Sequence, residues 1–196
     1  MKLTITHQES YSRGQLLLRS FFGIFYIQLP HAFLLMFCSI WASIVHFISF
    51  WVILFTGRYP QTFFEYQLGM LRWQLRLAAR MGNLSDGYPS FFPGGSDTLT
   101  NLDIPYPENS SRGLLLLRTF FGAFYVAIPH GFLLFFRLIG TAFVTFIAWW
   151  AVLFTGKYPA GMHAFNVGTH RWATRVNAYL LFLTDEYPPF TGKEIA

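Results

Sequence analysis

Two long apolar stretches dominate the pattern of hydrophobic and polar positions along this 196-residue chain. No Asp, Glu, Lys or Arg lies between Arg19 and Arg58, and only Arg137 interrupts the stretch from Arg118 to Lys157. Apolar runs of this length predict membrane-spanning helices before any other element. The sequence therefore predicts an all-α integral membrane protein.

The two stretches belong to an internal repeat with a constant offset of 99 residues. When residues 3–91 are aligned with residues 102–190, 42 of the 89 pairs are identical. We expect a first repeat over residues 1–91, a linker over 92–110 and a second repeat over 111–196. The linker is rich in Gly, Pro, Ser, Asn and Asp, which indicates a water-exposed loop.

Each apolar stretch fits two arrangements in a membrane. About 41 helical residues extend ~60 Å, twice the ~30 Å hydrocarbon core. One arrangement is a hairpin that crosses and returns, and the other is an interfacial segment followed by one long crossing that starts at Pro30. Cations at both ends of each stretch place both ends on the cytoplasmic side, which requires an even number of crossings and favours the hairpin. The predicted membrane spans are about 16–37, 41–56, 115–136 and 140–155.

Single residues inside the spans indicate where the hairpin would turn and where its helices would bend. Arg137 would mark the outer turn, whereas in one long helix it would lie near mid-membrane at a cost of about 2.5 kcal/mol or more. Pro30 and Pro129 each remove a backbone hydrogen bond and predict a kink. In lipid the freed carbonyl group needs a new partner, and His31 and His130 directly follow the prolines.

A third, amphipathic helix is predicted after each apolar stretch, at about residues 62–84 and 161–183. Arginines share one helical face and apolar side chains share another. We expect these helices to lie in the interface, in contact with lipid headgroups or a partner protein. The residues predicted for this contact are Arg72, Trp73, Arg76, Arg80, Arg171, Trp172 and Arg175.

The second copy of this helix carries a polar stripe where the first copy is mostly apolar. The stripe falls within about 80° of arc and includes His163, Asn166, His170 and Asn177. Because the two copies differ on this face, we expect them to have different neighbours. The stripe is therefore predicted to face a partner.

The segments before the apolar stretches show a different pattern. Residues 3–7 and 102–106 alternate apolar and polar side chains, which predicts two short strands. Pro105 would confine the second strand to a sheet edge. Pairing of the two strands with each other is an open alternative.

Composition narrows the class of protein further. The chain is 54% hydrophobic, 20% aromatic and 12% charged, with 24 Phe residues and a net charge of +5. Ordinary soluble domains are about 25% charged, so a bilayer is the better solvent for this much apolar surface. The cations flank the apolar stretches, as expected for membrane lipids as partners, and no basic run favours nucleic acid. A single cysteine, Cys38, excludes an internal disulfide.

The sequence offers little catalytic chemistry. His31 and His130 occupy equivalent positions, and two imidazoles can ligate haem iron, which gives a weak hypothesis of a haem-binding redox subunit. His163 and His170 lie ~10 Å apart along a helix, too far to share a metal ion. No Ser-His-Asp order, carboxylate pair or phosphate-binding glycine loop can be assembled. We therefore predict no catalytic residue, metal site, cofactor or enzymatic activity.

Several motifs occur in both copies: Ser-Arg before the apolar stretch, Pro-His inside it and Leu-Phe-Thr-Gly-X-Tyr-Pro after it. The second copy adds Arg171-Trp172 and a closing Asp-Glu-Tyr-Pro-Pro-Phe at 185–190. These motifs resemble a bacterial membrane family known as domain of unknown function 4389. The resemblance implies a location in the bacterial inner membrane and no settled activity. The first copy departs from it with Gly87 for Glu186 and Ser90 for Pro189.

Two further hypotheses for function are stronger than the haem hypothesis. We favour a non-enzymatic accessory or scaffolding subunit of a larger bacterial membrane-protein assembly, with membrane lipids and other membrane-protein subunits as partners. The alternative is a transporter or lipid-handling protein with a path between the repeats. Its polar residues in the first copy would be Gln28, Ser39, Ser43, His46 and Ser49. In either case we expect a multi-pass protein with both termini in the cytoplasm.

Overall fold

The structure, a computed structural model, describes residues 1–194 and is mostly helical. The last two residues of the predicted second repeat lie outside the described residues. Each copy contributes a short strand, a long helix interrupted by one π-helical turn, and a shorter helix. In chain order the elements are β1 (Lys2–Ile5), α1 (Arg13–Gly23), a first π-helical turn (Ile24–Gln28), α2 (Leu29–Thr56), α3 (Gln61–Met81), β2 (Thr100–Asp103), α4 (Arg112–Gly122), a second π-helical turn (Ala123–Ala127), α5 (Ile128–Thr155) and α6 (Ala160–Leu180).

The two long helices, Arg13–Thr56 and Arg112–Thr155, are long and apolar enough to cross a membrane. In their most apolar windows only 11% and 6% of the residues are buried within the chain. A helix that is hydrophobic on all sides needs an apolar environment around it. Since the rest of the chain covers little of these helices, most of their apolar surface is free to contact lipid or another protein.

The predicted hairpins are wrong. Helices α2 and α5 continue through the residues assigned to the turns, at about 38–40 and 137–139. These positions hold no proline, and the nearby Gly140 costs a helix only about 1 kcal/mol. The helices end at Gly57 and Gly156, whose φ angles of 73° and 71° are the left-handed conformation that terminates helices. Each copy therefore has one long apolar helix in place of two spans.

The predicted kink takes the form of a π-helical turn directly before each proline. In the first copy, Pro30 cannot donate to the carbonyl oxygen of Tyr26, and that oxygen accepts a hydrogen bond from the Tyr88 hydroxyl at 3.0 Å. The second copy repeats this arrangement with Pro129, Tyr125 and Tyr187, at 2.8 Å. The free carbonyl group therefore finds its partner in the closing segment of each copy and not in His31.

Strands β1 and β2 form an antiparallel pair in which Leu3 lies opposite Leu102. These two residues are equivalent in the two copies, so a pseudo-twofold axis passes between them. The prediction of two short strands is confirmed, with slightly different bounds. The sheet also joins the copies, because β2 packs against α3 and β1 packs against α6.

The main hydrophobic core draws on both copies, which makes the repeats one folded unit. Helix α3 packs against α2 and α6 packs against α5, and each of these shorter helices also contacts a strand of the sheet. Core side chains from every element except the π-helical turns meet there, among them Leu3, Leu16, Ile53, Phe64, Leu68, Leu102, Leu115, Val152 and Val167.

Candidate functional site

The arginines of α3 and α6 lie inside the molecule. Arg76, Arg80, Arg171 and Arg175 are buried, and Arg72 is half-buried. Arg72 donates to the Leu102 carbonyl at 2.8 Å, and in the second copy Arg171 donates to the Leu3 carbonyl at 3.0 Å. Arg76 and Arg175 donate to carbonyl groups of the segments that follow α3 and α6, and Arg80 donates to the Ser85 hydroxyl and to Asp97. These guanidinium groups are therefore bonded within the chain, and their contact with lipid headgroups or a partner protein stays a prediction.

The linker supplies a carboxylate to this buried layer. Asp97 pairs with Arg80 at 2.9 Å and also accepts hydrogen bonds from the Leu99 N–H and the Thr100 hydroxyl. Burial by itself would raise the pKa of Asp97, but these hydrogen bonds and the Arg80 charge outweigh it and hold the pKa below its usual value. The predicted linker therefore packs partly on α3 and is not wholly a water-exposed loop.

Each copy contains an enclosed histidine. His31 accepts a hydrogen bond at Nδ1 from the Trp73 indole at 2.8 Å, and its ring stacks on Phe91 at 4.0 Å. The second copy repeats this with His130, Trp172 and Phe190, at 2.9 Å and 4.0 Å. Both imidazoles are 0% exposed. The two tryptophans, predicted at the membrane boundary, are also buried here.

This enclosure bears on haem ligation. Nε2 of His31 and of His130 makes no hydrogen bond within residues 1–194, so it is the ring atom that an iron would have to reach. Because both rings are fully covered by side chains of their own copy, ligation would require Phe91 or Phe190 to be displaced. Haem binding stays a prediction, which a Soret band in the purified protein would test.

The residues of the polar stripe on α6 differ in their neighbours and in their exposure. Nε2 of His163 lies 3.1 Å from the Leu84 carbonyl oxygen, and the His163 ring contacts that of His7, so the neighbour of this residue is the first copy of the same chain. Burial lowers the pKa of His163, and His7 lowers it further. Asn166 is buried and donates to Thr145 and Tyr158, whereas His170 is half-buried and Asn177 is exposed. Only part of the predicted stripe therefore remains available to a partner.

A groove of about 400 Å³ lies between the copies. It is lined by α2 and α3 of the first copy and by the end of α6. Its polar side chains are Ser39, Ser43, His46, Gln67, Gln74 and Asn177. The structure thus brings three of the five polar residues suggested for a path between the repeats, Ser39, Ser43 and His46, to one surface.

At the equivalent positions of the second copy, polar side chains of α5 and α6 bond to one another. Asn166 donates to Thr145 at 2.9 Å, and the hydroxyl groups of Thr141 and Thr169 lie 3.0 Å apart. Arg137, which replaces Cys38, donates to Thr169 and lies over the Phe165 ring at 4.4 Å. Arg137 is thus held in mid-helix by side chains of α6 and marks no turn.

The sequence interpretation missed one pair of residues that shapes both copies. Arg19 forms a 2.9 Å ion pair with Asp86 and donates to Asn83 and to the Ser85 carbonyl. Arg118 and Asp185 repeat this pair in the second copy. The signal was available, because both residues recur in both copies, but their wide separation along the chain gave no reason to join them.

Comparison with models of protein families gives two matches, over residues 15–93 and 117–192, to the family described as Domain of unknown function (DUF4389). The chain belongs to this family. Two separate matches confirm the tandem copies. No curated protein and no solved structure matched the chain.

In this DUF4389 protein the matched segments contain both the enclosed histidines and the buried arginines of α3 and α6. Strand β1, strand β2 and most of the linker fall outside the matches. Within residues 1–194, no group of three or more His, Cys, Asp or Glu side chains is arranged to hold a metal ion.

Proposed function

We propose that the chain is a non-enzymatic accessory or scaffolding subunit of a larger assembly in the bacterial inner membrane. The observation that carries this proposal is the outward surface of the two long helices. Large exposed aromatic side chains follow both helices for their whole length, namely Phe21, Phe22, Phe25, Phe33, Phe37, Trp41, Phe47, Trp51 and Phe55 in the first copy and Phe120, Phe121, Phe124, Phe132, Phe135, Phe136, Phe143, Phe146, Trp150 and Phe154 in the second.

The charged side chains support the same proposal. The carboxylates of Asp86, Asp97 and Asp185 are paired with buried arginines and hold loops against the helices of the same chain. Rigid aromatic side chains contribute much contact area at a low entropy cost. A surface of this kind suits contact with acyl chains and with helices of other membrane proteins.

Site-specific photo-crosslinking tests the proposal. A photoreactive phenylalanine is placed in living cells at Phe33 or at the equivalent Phe132, both of which are exposed. We expect an adduct with one defined membrane protein from at least one position, and co-purification of that protein in fixed ratio in mild detergent. The same probe at the exposed Glu108 of the linker is the control and should not give this adduct. A monomer that forms only lipid adducts at both positions would contradict the proposal.

The groove between the copies favours a second candidate, a lipid-handling protein. Its polar lining lies beside apolar helix surface, an arrangement suited to a lipid with a neutral headgroup. Lipid transfer between vesicles by the purified protein would be slowed by Ser43→Leu combined with His46→Leu. The matched control, Ala142→Leu with Thr145→Leu, changes the equivalent positions of the second copy and should have a smaller effect. Transfer no faster than in vesicles without protein would remove this candidate.

A further inference from the structure

We propose that the protein inserts into a single leaflet, with its pseudo-twofold axis along the membrane normal and its two long helices lying along the membrane plane. This inference rests on the proposed membrane location. In this orientation the exposed apolar surface of the long helices contacts the lipid, and the chain does not cross the membrane. The contacts between the copies have the symmetry that decides this orientation.

The contacts between the copies are reciprocal, as a twofold axis requires. The Tyr11 N–H donates to the Gly156 carbonyl at 2.8 Å, and the equivalent Ser110 N–H donates to the Gly57 carbonyl at 2.8 Å. The strand pairing is centred on Leu3 opposite Leu102, so the axis passes through the sheet. The sheet therefore lies at the same distance from both ends of the helix pair.

The two long helices run antiparallel. Arg13 donates to the Phe154 carbonyl at 2.9 Å, and one to two turns further along, Ser20 accepts from the Trp149 indole at 2.7 Å. The start of the first long helix therefore lies against the end of the second. At the opposite end, Arg112 donates to the Phe55 carbonyl at 2.9 Å. The pseudo-twofold axis exchanges these two ends of the helix pair.

This symmetry decides between crossing and lying along the membrane. If the antiparallel pair crossed the bilayer, its two ends would lie on opposite sides and the axis that exchanges them would lie in the midplane. The sheet on that axis would then sit at the centre of the bilayer, with the exposed Lys2 and Asp103 at that depth. Charged side chains are strongly unfavourable at that depth. Each 44-residue helix is also about 66 Å long, against a hydrocarbon core of ~30 Å.

Single-leaflet insertion removes this conflict. The sheet and the linker lie on the water side, and the exposed aromatic surface of the long helices faces the acyl chains. Exposed cations then occupy the four helix ends at headgroup depth, where anionic lipids would attract them: Arg13, Arg58, Arg112 and Lys157. The cations at both ends of each stretch fit this arrangement as well as a hairpin, because zero is also an even number of crossings.

Single-cysteine labelling tests the inference in the full chain. Cys38 is replaced by Ser, and one cysteine is introduced at Arg58, Lys157 or Ile40, all of which are exposed. An impermeant maleimide is added to spheroplasts and, separately, to inverted membrane vesicles. We expect Arg58→Cys and Lys157→Cys to be labelled from the cytoplasmic side only. Ile40→Cys should be labelled from neither side until detergent is added.

Other labelling patterns would contradict single-leaflet insertion. Labelling of Ile40→Cys from the outside would restore the return hairpin. Labelling of Arg58→Cys and Lys157→Cys from opposite sides would show one crossing per copy. Both results would reject single-leaflet insertion and leave the membrane location intact. Recovery of the protein in the soluble fraction after alkaline washing of the same membranes would instead reject the proposed location, and the inference with it.

Discussion

The two copies share their supporting contacts and differ on one face. Both have a π-helical turn before the proline, an enclosed histidine bonded to tryptophan, and a buried arginine paired with an aspartate of the closing loop. They differ where the long helix meets the shorter helix. There the first copy has Cys38 and an open groove, whereas the second has Arg137 and a closed set of polar contacts.

This difference shows where the duplicated unit is constrained and where it is free to vary. Several residues that satisfy backbone carbonyl groups are the same in both copies, namely Arg19 and Arg118, and Tyr88 and Tyr187. Losing one of them would leave a polar atom without its partner. Around the groove the contacts differ between the copies, since Gln67 donates to the Ala42 carbonyl in the first copy whereas Asn166 donates to Thr145 in the second. A function that belongs to one copy is therefore expected at the groove and not at the enclosed histidines.

The largest expected effect tests the shared contacts. Arg19→Ala and Arg118→Ala should each destabilise the protein by about 3–5 kcal/mol, because each leaves a partly buried carboxylate and backbone carbonyl groups without their donor. Unfolding in mild detergent, followed by circular dichroism, measures this. Arg58→Ala, at an exposed position, is the control and should change stability by less than about 0.5 kcal/mol. If only one of the two substitutions lowered the stability, the two arginine–aspartate pairs would not be equivalent.

An intermediate effect tests an ion pair found in the first copy. Asp97→Asn should cost about 1.5–3 kcal/mol, because Asp97 is buried with Arg80. Glu194→Gln alters the 72% exposed partner of Arg171 and should cost less than about 1 kcal/mol.

The same aspartate predicts an acid dependence of stability. The pKa of Asp97 is lower in the folded chain than in the unfolded chain, so its contribution is complete above the unfolded value of about 3.9 and is lost as the pH falls through the folded value. Asp97→Asn should therefore flatten the decline in stability below about pH 4. If the stability of this variant declined with acid as steeply as that of the unaltered protein, Asp97 would not be the group responsible.

A smaller effect tests the enclosed histidines. His31→Phe and His130→Phe should each cost about 1–3 kcal/mol, because the buried indole N–H of Trp73 or Trp172 loses its acceptor. Equal losses in the two variants would agree with a structural role in both copies. A large loss of a co-purified chromophore with little change in stability would point to ligand binding instead.

The smallest effect compares two equivalent glycines. A Cβ added at Gly69 would lie 2.7 Å from the Pro93 ring and 3.0 Å from its carbonyl oxygen. At Gly168 the nearest atoms are the end of the long Arg137 side chain at 2.9 Å and the Gly192 carbonyl oxygen at 3.2 Å. Gly69→Ala should therefore cost about 1 kcal/mol after its gain in helix propensity. Gly168→Ala should cost less, and thermal melts of the two variants measure the difference. A larger cost at Gly168 would mean that Arg137 cannot move.

The charge pattern of the sequence does not determine the number of membrane crossings. Cations at both ends of an apolar stretch indicate that both ends face the same side of a membrane. A returning hairpin and a helix lying along the surface satisfy this equally. The contacts that favour a surface helix join Arg13 to Phe154 and Arg112 to Phe55, residues that lie far apart along the chain.

The sequence by itself determined the repeat, the long apolar helices, the third helix of each copy and the two short strands. These depend on periodicity and on an offset of 99 residues, both of which are local or self-similar patterns. Only the tertiary structure decided that the long helices are unbroken, that α3 and α6 bury their arginines, and that the Tyr88 hydroxyl satisfies the carbonyl group next to Pro30. A buried arginine and an exposed one have the same helical spacing, and what distinguishes them is an acceptor that folding brings from a distant part of the chain.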